Sequence, residues 1–111
     1  MSVMRPSAES KGDRREENLR IIRGRVDTDG VKVGGSGFTV VKTATGRYTV
    51  TFTQAFNEIP TVTATTVWGI NLSDIIAMEQ ITTTTVSFAV HNPVVEGFAD
   101  TGFHFTAIGP R

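Results

Sequence analysis

Two histidines and a few scattered carboxylates are the main candidates for acid–base chemistry or metal binding, because the sequence contains no cysteine. His104 lies between Phe103 and Phe105. In an alternating strand it therefore points away from the face those phenylalanines bury. His91 ends an alternating segment on the face opposite Val90. Neither has a second histidine or a carboxylate at ligand-like spacing, so no metal centre and no cofactor are expected. A serine nucleophile would need a Gly-x-Ser-x-Gly elbow between a strand and a helix. Ser36 instead sits inside a glycine-rich loop, residues 34–37, with no helix pattern after it and no Gly-Lys-Ser/Thr for phosphate. Asp74, Glu79, Glu96 and Asp100 are spread over two segments and show no pair facing across a cleft, as glycoside hydrolysis needs. The residue inventory thus predicts no catalytic residue and a protein that is not an enzyme.

Sugar binding asks for less: an aromatic face for the C–H side of the ring and a few polar groups for its hydroxyls. Trp68, the only tryptophan, ends a strand-like run and is followed closely by Asn71 and Asp74. A second long loop offers His91, Asn92, Glu96 and Asp100. Strand-end loops are where binding residues concentrate on a β scaffold. The expected carbohydrate rim is Trp68, Asn71 and Asp74 together with His91 and Asn92. The competing assignment packs Trp68 in the core or between subunits and makes Asn71, Asp74 and Asn92 turn formers.

The elements that must carry these residues read as strands. Residues 38–43 and 47–53 flank Ala44-Thr45-Gly46, the pattern of a hairpin with a short glycine-bearing loop. In the second of them Tyr48, Val50 and Phe52 share one face and Thr49, Thr51 and Thr53 the other. Such alternation marks one buried and one exposed or interfacial face. Pro60 opens the next strand, 61–68, and residues 86–91 bury Val86, Phe88 and Val90. Residues 102–108 close the fold with Phe103, Phe105 and Ala107 inward. Two segments are ambiguous. Residues 19–26 fit a helical spacing, but β-branched residues and Gly24 favour a strand. Residues 74–81 carry helix-forming Ala77, Met78 and Glu79, yet Ile75, Ile76 and the following threonine run favour a strand. The glycine-rich stretch after Gly30 and residues 92–101 read as loops. The predicted fold is all-β: a small antiparallel β-sandwich of six or seven strands, formed by residues 18–111, behind a flexible polar arm, residues 1–17. Val50, Phe52, Val62, Phe88, Val90, Phe103 and Phe105 are its expected core.

Charge is unevenly distributed along the 111 residues. The formal net charge is zero, and 13 of the 22 charged residues fall in the first 30. A neutral chain does not coat nucleic acid by bulk charge, and no apolar run approaches the roughly 20 residues that span a bilayer. No nucleic-acid partner and no membrane insertion are expected. The body carries only nine charges over residues 31–111, and threonine, 17 in the chain, fills the gap. A small domain with so little charge and no disulfide is expected to gain burial by self-association. A threonine-rich strand face and residues 19–26, with Leu19, Ile21 and Ile22, are the expected contacts. The opening residues lack the apolar h-region of a signal peptide, which predicts synthesis in the cytoplasm.

Several anchors also resemble a family. Val50, Phe52, Phe56, Pro60 and Val62 are similar to the V-x-F-x-x-x-F-x-x-x-P-x-V core of H-type lectin-like domains. Thr84, Phe88 and Val90 resemble that family's T-x-x-x-F-x-V strand, and Phe105, Ala107 and Gly109 its last strand, with Phe105 in place of a tryptophan. Similar domains end bacteriophage tail fibres, often after R-G-x-V-x-x-D-G and G-S-G-F-T-V segments; both patterns occur here, at residues 23–30 and 35–40. The resemblance implies a six-stranded antiparallel sandwich that assembles as a homotrimer with sugar near the subunit junctions. His91 and Asn92 partly echo the family's sugar-contact segment. It further implies a virion protein of a phage tail, made in the bacterial cytoplasm, whose tip recognises a cell-surface carbohydrate. A purely structural trimerisation or capping module is the alternative. A trimeric C1q/TNF-like jelly roll is a third reading, set aside because it needs roughly eight to ten strands.

Overall fold

The computed structural model describes residues 18–67 and 74–111. They form β1 (Leu19–Val26), β2 (Lys32–Gly35), β3 (Phe38–Ala44), β4 (Arg47–Phe52), β5 (Thr61–Thr66), β6 (Ile75–Ile81), β7 (Thr85–Asn92), β8 (Gly97–Phe98) and β9 (Phe103–Pro110). No helix occurs among the described residues. Both ambiguous segments, β1 and β6, are strands, because β-branched residues fit a pleated surface better than a helical one.

Two antiparallel sheets face each other. One has the order β2-β1-β9-β5; the other runs β3-β4-β7-β6, with β8 added beside β7. β9 and β7 are the central strands. β9 pairs with β1 along its whole length and with β5 from Phe103 to Ile108. β7 is flanked by β4 and β6. The inner faces alternate as expected: all seven expected core residues are buried, with Val26, Phe38, Tyr48, Phe56, Val86 and Ala107 beside them. Aromatic contacts join the layers. Phe88 of β7 lies 4.8 Å from Phe103 and 5.6 Å from Phe105, both on β9. Phe38 meets Phe105 edge-on at 5.0 Å. That approach requires Gly24 beneath it, because a Cβ there would fall 2.5 Å from Phe38 Cζ. Tyr48 is fully buried and its hydroxyl donates to the Thr28 carbonyl at 2.8 Å. Burial, reinforced by the nearby Asp100 carboxylate, pushes its pKa up to about 12.

Two strands fall where loops were expected. β2 arises from the glycine-rich stretch and pairs with β1. β8 lies inside residues 92–101 and pairs with β7 through His91↔Phe98 and Asn92↔Gly97. Both are short pairings made by tertiary context, which local pattern does not encode. The described residues thus hold nine strands rather than six or seven, so strand number no longer excludes a jelly roll. Connectivity does: β1–β2, β3–β4 and β6–β7 are hairpins within one sheet, whereas a jelly roll passes successive strands between sheets.

Candidate functional site

Asp74 and Asn92, two of the five residues expected to line a carbohydrate rim, meet at one end of the sandwich. Asn92 Nδ2 donates to Asp74 Oδ1 at 2.9 Å, and the Thr101 hydroxyl donates to Asp74 Oδ2. Asn92 Oδ1 accepts from the backbone N–H groups of Val94, at 2.9 Å, and Val95. Asn92 and Thr101 are buried. The asparagine therefore acts as a turn former: its Oδ1 closes the tight connection of residues 93–96 between β7 and β8, and its Nδ2 ties that turn to Asp74, just before β6. Glu96 completes that connection at φ 55°, the left-handed region that non-glycine residues rarely enter.

His91 takes the opposite side. Alternation along β7 turns it to the outer face of the sheet, where it is exposed. It stands between Ile75 of β6 and Phe98 of β8, its direct cross-strand neighbours. Its ring meets Phe98 edge-on at 6.1 Å. His91 thus shares a strand with Asn92 but not a surface. Trp68 and Asn71 lie outside the described residues.

The residues that do gather around His91 were missed from sequence. Phe98 is 44% exposed on the outer face. The Arg47 guanidinium stacks over its ring at 4.3 Å, and Arg47 also pairs with Glu79 at 3.5 Å. Glu79 reaches this face by alternation with Ile75 and Ala77, and the bulge between Met78 and Gln80 adds Gln80 to the same side. The only available signal was Phe98 itself, the single aromatic within residues 92–101.

Asp100 holds this corner together. It accepts from Lys42 Nζ at 2.6 Å and from the Gly46 N–H at 2.7 Å, tying the β8 exit to the β3–β4 turn that precedes Arg47. The Lys42 hydrogen bond, with the Gly46 N–H, holds its carboxyl below the usual range. An acid with a depressed folded pKa stabilises the fold above its unfolded pKa, and that contribution disappears as pH falls through the folded value. Asp100→Asn is therefore expected to cost about 1 kcal/mol near pH 7, and the deficit against wild type should shrink toward about pH 3. Denaturant melts at the two pH values check this; an unchanged deficit would show that the carboxylate charge contributes nothing.

Other surfaces offer less chemistry. His104 lies exposed on the outer face of the sheet containing β9, so the two histidines stand on opposite sides of the sandwich and cannot share a metal. No cluster of three or more metal-ligating side chains occurs among the described residues. A cavity of about 370 Å³ lies beside Arg25, Asp27, Val33 and Val67. Its carboxylate, Asp27, is already engaged with the N–H groups of Asp29 and Val31 in the β1–β2 turn. A second, also about 370 Å³, lies beside Leu19, Glu58, Ile59 and Ile108. These three apolar side chains are exposed, as is Ile21, the cross-strand partner of Ile108. Ile22 instead turns inward against the core. No family model, curated protein or solved structure matches the chain.

Proposed function

We propose that this chain is a non-enzymatic, trimeric binding module of the H-type lectin-like kind, the receptor-binding tip of a phage tail fibre that recognises a surface glycan. The observation that carries self-association is the apolar row Leu19, Ile21, Ile59 and Ile108 on one outer face, with exposures of 40%, 61%, 62% and 36%. A chain of zero net charge with such a row gains by covering it with another copy of itself. The strand-anchor resemblance supplies the trimer, the virion setting and the glycan. Two three-stranded antiparallel layers, β1-β9-β5 and β4-β7-β6, are consistent with the six strands it implies. A second reading, a trimerisation or capping module without ligand, draws support from Asp74 and Asn92, whose polar atoms are satisfied within the chain.

Native mass of the intact chain tests the proposal. A mass of three protomers is expected, and Ile21→Lys should weaken the assembly at least about tenfold by placing a charge in the apolar row. A stable monomer at micromolar concentration overturns the trimer. Glycan binding by the assembled chain then separates the two readings.

A further inference from the structure

We infer that Phe98, Arg47, Glu79 and His91 form a binding site for a neutral saccharide that presents adjacent hydroxyl groups. This rests on the carbohydrate-binding reading above and moves its centre to the outer face of the sheet β3-β4-β7-β6.

Phe98 supplies the apolar surface. The ring is 44% exposed on an outer face that also carries several threonines and the exposed Ile75, across β7 from it on the far side of His91. Its quadrupole attracts polarised C–H groups as well as the guanidinium already stacked on it. Arg47 and Glu79 supply the polar part. Their side chains are 42% and 43% exposed, so neither is sealed by the contact between them. At 3.5 Å the pair is loose, and it presents N–H donors beside carboxylate acceptors. Two neighbouring hydroxyls of one sugar, each both donor and acceptor, can bridge such a pair. His91 adds a further donor or acceptor at the ring edge, 6.1 Å from Phe98.

Charge selects among saccharides. Arg47 and Glu79 cancel, so an anionic sugar would meet no net attraction and would have to compete with the Glu79 carboxylate for Arg47. A neutral sugar keeps the pair intact and uses both members.

Positioning is built into the fold. Alternation along β6 puts Glu79 on this face, the β3–β4 turn aims Arg47, and pairing of β8 with β7 sets Phe98 beside His91. Asp100 ties the last two together through Gly46. Sites carried on paired strands hold their geometry better than free loops do.

The test uses the full chain on an array of neutral and acidic glycans. Amide chemical-shift mapping with the best neutral glycan follows. Binding to neutral glycans is expected, with the largest shifts at residues 47, 79, 91 and 98. Phe98→Ala and Arg47→Ala should each weaken binding at least about tenfold, whereas Phe98→Tyr and Thr39→Ala, the latter across the same face, should retain it. Melting curves check that each variant is folded, and the mapping on the unaltered chain needs no variant at all. Binding with shifts elsewhere overturns this site and leaves the carbohydrate reading standing. Preference for acidic glycans overturns the neutral class. A folded chain that binds no glycan overturns both.

Discussion

Phe88→Ala is expected to lower the unfolding free energy by about 3–5 kcal/mol. The side chain is fully buried on β7, the central strand of its sheet, and reaches across to Phe103 and Phe105 on β9, the central strand of the other. Truncation removes a ring's worth of apolar burial and leaves a cavity bounded by two other rings. Those rings are themselves fixed: Phe103 lies 5.2 Å from Tyr48, and Phe105 lies against Phe38 over Gly24. A site whose walls cannot move inward sits at the upper end of the truncation range. Phe88→Leu, which refills much of the volume, should cost roughly half as much or less. Urea unfolding at one fixed protein concentration gives both values, since self-association would otherwise shift the midpoint. A loss below about 1 kcal/mol for the alanine variant would mean that the two sheets do not depend on this contact.

The legibility of the fold followed the strength of its alternation. Tyr48, Val50 and Phe52 opposite Thr49 and Thr51 leave one orientation for β4, since a one-residue slip would bury threonines and expose a tyrosine and a phenylalanine. The same logic placed Phe88 and Val90, and Phe103 and Phe105, on inner faces. β6 was ambiguous because Ala77, Met78 and Glu79 are helix formers, and its bulge, which leaves Glu79 and Gln80 both exposed, keeps a strand period from outweighing them. β8 was invisible because two residues carry no period.

The site was harder to read for a related reason. Proximity in sequence made His91 and Asn92 look like one rim, yet consecutive residues of a strand face opposite sides. Asn92 turns to Asp74 and the backbone of the β7–β8 connection, while His91 turns to Phe98. Arg47, Glu79 and Phe98 come from three separate strands, so only the sheet order brings them together. No spacing rule in one sequence contains that order.

Gly46→Ala is expected to cost about 2–4 kcal/mol and to disorganise the Arg47–Phe98 corner as well. Two penalties add. Gly46 has φ 68°, where an L side chain costs roughly 1–2 kcal/mol. Its missing Cβ also leaves room for backbone: a methyl group would lie 2.7 Å from the Val90 carbonyl oxygen and 2.8 Å from the Ala99 nitrogen. Neither neighbour is the end of a flexible side chain. Val90 donates its N–H to the Gly46 carbonyl at 2.7 Å, and Ala99 donates to the Val90 carbonyl at 3.0 Å, so moving one atom strains both bonds. The Gly46 N–H is held at the same time by Asp100. Gly46→Asn separates the two penalties, because asparagine tolerates left-handed φ but still carries a Cβ. If contact with the backbone dominates, the asparagine and alanine variants should melt together, well below wild type. If φ dominates, asparagine should recover most of the loss. Arg47 follows Gly46 directly and Phe98 precedes Ala99, so a displaced turn separates the guanidinium from the ring. Glycan affinity should then fall in step with stability in the alanine variant, even though Gly46 itself touches no sugar. An alanine variant as stable as wild type would mean that the turn does not adopt this conformation, and the corner built on it would fall with it.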